Sequence, residues 1–322
     1  MPGGILLRIV KRTIFFLIYI YISCSILIFH GPFSAFRQYF IDIFTTSMHG
    51  YLLRPLSMYT LSEADIRKAT PSLVTVNKAT SQRQASADYS NIQSTQITID
   101  TYKAPMFTAN VMLIRDPRRV EVAVTKYNGN VGQTVSDMVQ ENHAIAGVNA
   151  GAFRDTGWQG TGGLPQGITI TNGKVVTGQP SGNEPVIGIT ANGALVVGPY
   201  TLAQLKQMHV NQAVTFGPVL VQDGKDMVQG SGGWGYAPRT AIGQTANGTI
   251  ILAVTDGRYI HGANNMGASI QDMAQLMLHF GAVTAANLDG GSSTTMFYNG
   301  KLVNQPSDVL GEREVATAII VK

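Results

Sequence analysis

The chain has 322 residues, 44 % of them apolar and only 13 % charged, with a formal net charge of +4 and a single cysteine. That is ample for a sizeable core, and it excludes a disulfide framework and the strongly basic balance of a nucleic-acid-binding protein. Arg8, Lys11 and Arg12 account for most of the excess charge, so the remainder is close to neutral.

Residues 13–29 carry no charge and are largely apolar. A spanning helix needs about 17–25 residues, so the run is just long enough. Its basic flank belongs on the cytoplasmic side, which places everything after His30 outside. A cleaved signal peptide shares this pattern. No convincing small-x-small cleavage site follows, and an uncleaved anchor is favoured. Cys24 reads as a lone membrane cysteine, because Tyr21 and Ile22 make a poor lipoprotein box. An exported part without disulfides fits a bacterial envelope better than an animal secretory route.

Residues 61–69 begin with the capping pattern Ser62-Glu63-Ala64-Asp65 and predict a short juxtamembrane helix. Residues 71–96 turn to Ser, Thr, Gln, Asn and Ala, which reads as a polar linker, with a polar domain edge as the alternative. The expected organisation is a cytoplasmic tip and signal anchor over 1–30, a juxtamembrane helix and linker over 31–94, and a folded domain over 95–322.

Within that domain, short apolar runs recur at 97–102, 111–114, 120–127, 144–148, 168–170, 186–190, 219–222, 241–243, 249–254 and 316–321. Asn-Gly pairs start at Asn128, Asn172, Asn192, Asn247 and Asn299. Both residues tolerate positive φ, so Asn-Gly between β-like runs is a strong hairpin signal. Two helices interrupt the strands, at 134–142 and 269–280. Each opens on a capping-box pattern, and the second places Ile270, Met273, Ala274 and Met277 on one face before Gly281 stops it. The fold class is therefore α+β, mainly antiparallel hairpin-rich sheets with a few packed helices, preceded by one N-terminal transmembrane helix.

Three polar segments end apolar runs, where sites are commonly built. Asn287-Leu288-Asp289-Gly290-Gly291-Ser292-Ser293-Thr294-Thr295, taken to follow an apolar helix directly, sets one carboxylate beside glycines whose N–H groups can cradle an anion. Its plain alternative is a capped glycine turn. Pro238-Arg239-Thr240-Ala241-Ile242-Gly243 opens a strand-like run that ends at Asp256-Gly257-Arg258, and Asn149-Ala150-Gly151-Ala152-Phe153 ends another. A hairpin turning at Asn247-Gly248 brings Arg239 and Thr240 alongside Asp256, Gly257 and Arg258. An Asp256–Arg239 structural ion pair is the alternative reading of that juxtaposition.

These segments resemble the phosphodiester glycosidase family, whose animal member removes N-acetylglucosamine from a sugar-phosphate diester. The resemblance runs from about Thr95 onward and is densest after Ala144. Pro238 through Gly243 and Asp256 through Arg258 match the family's motifs closely, whereas Ala150 and Ala152 replace a glycine and an aromatic, and Ser292 replaces a third glycine. The resemblance implies an extracytoplasmic, membrane-anchored hydrolase that cleaves a sugar-1-phosphodiester in an envelope or exopolysaccharide glycan. A non-catalytic glycan-binding or exopolysaccharide-assembly protein is the rival. The expected catalytic pair is Asp289 and Asp256, with Asn149, Gly151, Arg239, Thr240, Arg258, Gly290, Gly291, Ser292 and Ser293 binding substrate.

Such a reaction needs cations for the phosphate, an acid for the leaving oxygen, and a base or nucleophile on the opposite face of the sugar. Glu314 is a candidate third carboxylate and Arg313 a further phosphate ligand, although a charged turn accounts for both. Trp158 and Trp234, in glycine-rich loops, could stack on a sugar or anchor their loops. The six scattered histidines and lone cysteine support no cofactor or zinc site. An oxygen-only Ca²⁺ or Mg²⁺ site at Asp289 or Asp256 remains open. The expected partners are a sugar-phosphate or glycan substrate and, through the N-terminal helix, the membrane, with no nucleic acid. Oligomeric state is not legible.

Overall fold

A computed structural model describes residues 3–34, 37, 40–41, 44, 52–62, 80–127, 129, 131–154, 162–178, 185–230, 232, 234–262, 264–308 and 310–322. The chain divides into two compact units, residues 1–72 with 233–235, and residues 73–232 with 236–322. The first contains helix α1 (Gly3–His30), without charge after Arg12, and a single helical turn at Leu53–Leu56. Its Leu6–His30 stretch of 25 residues is long and apolar enough to cross a membrane. Phe29, Ile41, Leu53 and Leu61 bury one another in a small core. The juxtamembrane helix expected at 61–69 falls almost wholly outside the described residues.

The second unit is built from antiparallel strands. A seven-stranded sheet runs in the order β1 (Ile97–Lys103), β2 (Thr108–Ile114), β15 (Ile250–Thr255), β14 (Thr240–Thr245), β16 (Ala282–Leu288), β12 (Val219–Gln222) and β13 (Lys225–Asp226). A five-stranded sheet follows the order β10 (Leu195–Gly198), β9 (Val186–Thr190), β11 (Val210–Thr215), β7 (Ile168–Thr171) and β8 (Lys174–Gly178). Another is ordered β18 (Lys301–Leu302), β17 (Met296–Tyr298), β4 (Ala146–Asn149), β19 (Thr317–Val321) and β3 (Val120–Val124). A short pair joins β5 (Phe153–Arg154) to β6 (Leu164–Pro165). This is the expected α+β class.

Four of the five Asn-Gly pairs sit in tight turns between paired strands, at 172–173, 192–193, 247–248 and 299–300; Asn128 lies outside the described residues. At Asn172-Gly173 and Asn299-Gly300 both residues take positive φ, the geometry that matches the twist of the flanking strands. Helix α2 (Val135–Glu141) starts where Thr134 accepts the Asp137 N–H. Helix α3 (Leu202–Gln207) follows a capping box at Thr201, and helix α4 (Ile270–His279) follows the predicted one at Ser269 and Asp272.

The largest core joins all three sheets through Met112, Val148, Ile187, Val197, Ile242, Leu252, Leu288 and Ile319. On the far face of the third sheet, Val135, Met138 and Val139 of α2 bury against Phe297, Ala318 and Ile320. Helix α4 covers β12 and β16, and β14, β15 and β16 are buried along almost their whole length.

Two expectations need correction. The Asp289 loop does not follow the apolar helix directly, because β16 intervenes; its small residues, Ala282, Ala285 and Ala286, carry little strand propensity. Residues 80–94, read as linker, take the alternative role of a domain edge. Thr80 exchanges hydrogen bonds with Val197, Tyr89 N–H donates to Asn192, and the Tyr89 ring fills the space that Gly248 leaves open.

Buried Gln244 ties two sheets together. Its amide donates to Gly193 O (2.7 Å) and Gly248 O (3.1 Å), and its Oε1 accepts the Leu195 N–H (2.8 Å). Gln244→Leu keeps the volume but orphans one buried donor and two acceptors, so it should cost about 2–4 kcal/mol. Thermal melting should fall by roughly 5–15 °C, and an unchanged melting temperature would show that these groups find other partners.

Candidate active site

Strand register gathers the motif residues at one sheet end. Thr240 pairs across to Val254 on one side and to Leu288 on the other. Arg239 therefore sits between Thr255 and Asp289, and its N–H donates to Thr255 Oγ1 at 2.9 Å. The Asn247-Gly248 hairpin thus does what the sequence implies, bringing Arg239 and Thr240 beside Asp256, Gly257 and Arg258.

Asn149 ends β4 at the junction with this sheet and is fully buried. Its Nδ2 donates to Asp289 O (2.5 Å), while its Oδ1 accepts from Thr240 Oγ1 (2.7 Å) and the Thr295 N–H (3.1 Å). Expected as substrate contacts, Asn149 and Thr240 instead spend these side chains on each other and on the Asp289 loop. Gly151 is also internal. A Cβ there would lie 2.9 Å from Val214 Cβ, and its N–H donates to Thr317 Oγ1.

The loop after Asp289 is held by main-chain bonds, Asp289 N–H to Ala150 O and Gly291 N–H to Pro238 O. Its two glycines serve different ends. A Cβ on Gly290 would fall 2.8 Å from Pro238 O, whereas Gly291 takes φ +63° and leaves room for the Arg258 guanidinium. Ser292, standing where the family pattern has glycine, accepts a bond from Arg313 Nη1 at 3.2 Å. The Arg313 guanidinium also lies over the Phe153 ring, 5.2 Å from its centroid. Arg313 thus joins the site from the turn before β19, and Phe153 of the first motif supports it.

Three guanidiniums and one carboxylate then share a confined space. Burial lowers the Arg239 pKa to about 10; repulsion from Arg258 adds to this and Asp289 opposes it. Burial likewise lowers that of Arg258, with Arg313 adding and Asp308 and Asp289 opposing, although the side chain keeps part of its surface open at the rim. Arg258 itself adopts φ +54° and the following Tyr259 φ +62°, successive left-handed residues of the kind found at binding sites. Asp289 is half-buried by surface but ringed by protein atoms. Burial raises its proton affinity, against the Ser293 hydroxyl, Arg313, the Gly290 N–H and Arg239, which favour the anion. The Ser293 hydroxyl is buried and stands near the carboxylate without a well-formed bond. A cationic pocket around a carboxyl that resists ionising suits an anionic ligand and proton donation to it.

Asp256 occupies a different environment. Its Oδ1 accepts the Thr108 N–H at 2.7 Å, and its Oδ2 lies 3.6 Å from His261 Nε2. β14 separates its strand from β16, so the two backbones stand about 10 Å apart. Glu314 is exposed and Glu312 accepts the Ser136 N–H, in keeping with a charged turn. Trp158 lies outside the described residues, and Trp234 falls in the N-terminal unit. Among the described residues no three His, Cys, Asp or Glu side chains gather as metal ligands.

The profile of the phosphodiester glycosidase family matches residues 142–322, just over half of the chain. The human N-acetylglucosamine-1-phosphodiester alpha-N-acetylglucosaminidase is 36 % identical over 89 residues, 26 % of this chain and 16 % of that protein. The SPbeta prophage-derived protein YomE of Bacillus subtilis (strain 168) is 27 % identical over 199 residues, 59 % of this chain and 29 % of that one. The chain thus spans less than a third of the length of these curated relatives. Among solved structures, the catalytic domain of the zebrafish N-acetylglucosamine-1-phosphodiester alpha-N-acetylglucosaminidase, auto-inhibited by its pro-peptide, superposes with a TM-score of 0.61 at 21 % identity, covering 81 % of this chain and 94 % of that one. At that identity the likeness establishes the fold. A fold shared with that catalytic domain, and a sequence profile that spans the Arg239, Asp256 and Asp289 motifs, place the chain in the phosphodiester glycosidase family.

Proposed function

We propose that this protein is a membrane-anchored, extracytoplasmic hydrolase that cleaves the glycosidic bond of a sugar-1-phosphodiester in an envelope or exopolysaccharide glycan. The observation that carries the proposal is the convergence of Arg239, Arg258 and Arg313 on Asp289 at one sheet end. Guanidiniums are suited to a diester phosphate because they offer forked donors to its oxygens. They also stabilise the phosphate as it departs from the anomeric carbon, where negative charge grows. Asp289, its proton affinity raised by burial, is placed among them to give a proton to the leaving oxygen. Asp256, across β14, is the partner that takes a proton from the attacking water. The bond from the anomeric carbon to the phosphate oxygen breaks, and the water oxygen takes its place. The human relative's name, an N-acetylglucosaminidase acting on a phosphodiester, supports this chemistry.

The location rests on α1 and on its basic N-terminal flank, which favours a cytoplasmic N-terminus. A structural relative is described as a putative exported protein of Burkholderia pseudomallei, with a TM-score of 0.50 at 19 % identity. A reporter fused after Lys322 should be membrane-bound and outside the cytoplasm. Cytoplasmic reporter activity would overturn the topology, and release into the medium would mean that the anchor is cleaved.

Asp289→Asn should lower kcat by roughly a hundredfold or more. The pH dependence follows from the sign of the shift. Because folding raises the proton affinity of Asp289, the native state binds the extra proton, and stability present at acid pH is lost as pH rises from the ordinary carboxylate range through the folded value. The amide keeps the uncharged form, so the variant should melt at or above the wild-type temperature at neutral pH. Wild-type kcat should fall as pH rises through the same value. A variant that is active, or one that is destabilised at neutral pH, would remove Asp289 from this role.

Arg239→Lys keeps the charge but loses the fork, so it should impair turnover of sugar phosphodiesters far more than binding of the uncharged sugar. Equal losses for charged and neutral ligands, measured by kinetics and calorimetry, would make Arg239 purely structural and leave a glycan-binding protein as the better reading.

A further inference from the structure

The polar edge formed by residues 80–94 encloses a hollow far from the arginine cluster. Its volume is about 640 Å³, and its walls come from the Thr80–Ala87 segment, the β9–β10 turn and the end of α3. That volume lies within the range of small-molecule sites, about 300–1,000 Å³. Gln244 fixes its position. The amide of this residue, at the opposite end of β14 from Thr240, bonds to Gly193 beside Asn192 of the hollow. Four residues of strand, about 13 Å, separate the two ends.

Its chemistry is neutral and polar. Among the described residues no Lys, Arg, Asp or Glu lines it, so those walls do not offer the charge complement of a phosphate or carboxylate ligand. Asn192, Gln207 and His209 line it with side chains that make no hydrogen bond among the described residues. Half-buried Tyr200 and Met208 supply apolar surface between them. The frame is rigid. His209 is held at φ +53° by its N–H to Lys206 O and by the Ala191 N–H to its carbonyl, and Thr80 is bonded to Val197 in both directions. The Tyr200 hydroxyl donates to Thr80 O at 3.3 Å, which ties the tip of the ring to the segment.

Free amide and imidazole groups beside a half-buried aromatic ring match a sugar, whose rim of hydroxyls both donates and accepts and whose C–H faces are apolar. We propose that this hollow is a second, non-catalytic site that binds an uncharged glycosyl unit. It would hold a neutral stretch of a glycan at one end of the domain while the charged linkage is engaged at the other. The inference does not depend on hydrolysis at Asp289.

The test uses the full chain in detergent and three uncharged probes, the trisaccharides of N-acetylglucosamine, glucose and galactose. Saturation-transfer NMR and calorimetry should detect binding of at least one, at concentrations up to about 20 mM. The double variant Asn192→Ala/Gln207→Ala loses two sets of hydrogen bonds at exposed positions, so affinity should fall about tenfold with melting unchanged. Absence of binding by all three probes overturns the proposal. So does affinity that survives the double variant, which would place the sugar elsewhere on the chain.

Discussion

Three hydrogen bonds converge on the buried amide of Asn149, and the geometry of the cleft depends on them. The side chain reaches from the end of β4 to Thr240 on β14, to the main chain at Thr295, and to the carbonyl of Asp289. A buried amide with donor and acceptor both engaged is stabilising, whereas one partner removed leaves the others desolvated and unpaired. The same four residues therefore set the spacing of two sheets and the position of the Asp289 loop. Gly290 and Gly151 then let main chains approach where any Cβ would collide.

On that frame, the site assembles charges that folding alone does not favour. Arg239 and Arg258 are both held below their usual proton affinity by burial and by a neighbouring guanidinium, and Asp289 is held above its own. Electrostatic strain of this sign is relieved by an anion with several oxygens, and it is concentrated where the sheet is most rigid. Phe153 and Ser292 extend the arrangement to Arg313, so the serine that departs from the family's glycine has a bonding partner of its own.

Local signals were the legible ones. Asn-Gly turns, the Ser269 cap and the hairpin that aligns Arg239 with Asp256 follow from residue conformational preferences and strand pairing, so they could be read from the chain. β16 could not, because Ala282, Ala285 and Ala286 become strand only through pairing with β14 and cover from α4. The domain-edge role of residues 80–94 rests on main-chain bonds and on single side chains such as Tyr89, to which composition is blind. The sequence around Arg313 reads as a charged turn, since nothing near it in sequence names Ser292 or Phe153 as its neighbours. The buried places of Asn149 and Thr240 were missed for the opposite reason. A polar residue in a motif reads as a ligand contact until its partners are visible.

The placement of β19 bears on how the molecule comes into being. That strand lies between β4 and β3, and its neighbour Ala316 receives the Thr125 N–H. Residues 317–321 are therefore an interior plank of their sheet, although they are made long after β3 and β4, which end at Val124 and Asn149. Until they emerge from the ribosome, β4 and β3 face a gap with unpaired edges, and the Arg313 turn has no anchor. The arginine cluster cannot form piecemeal during synthesis. Until β19 is made, a nascent chain thus lacks a complete cleft, and the cleft arises in one late step once that strand enters its sheet.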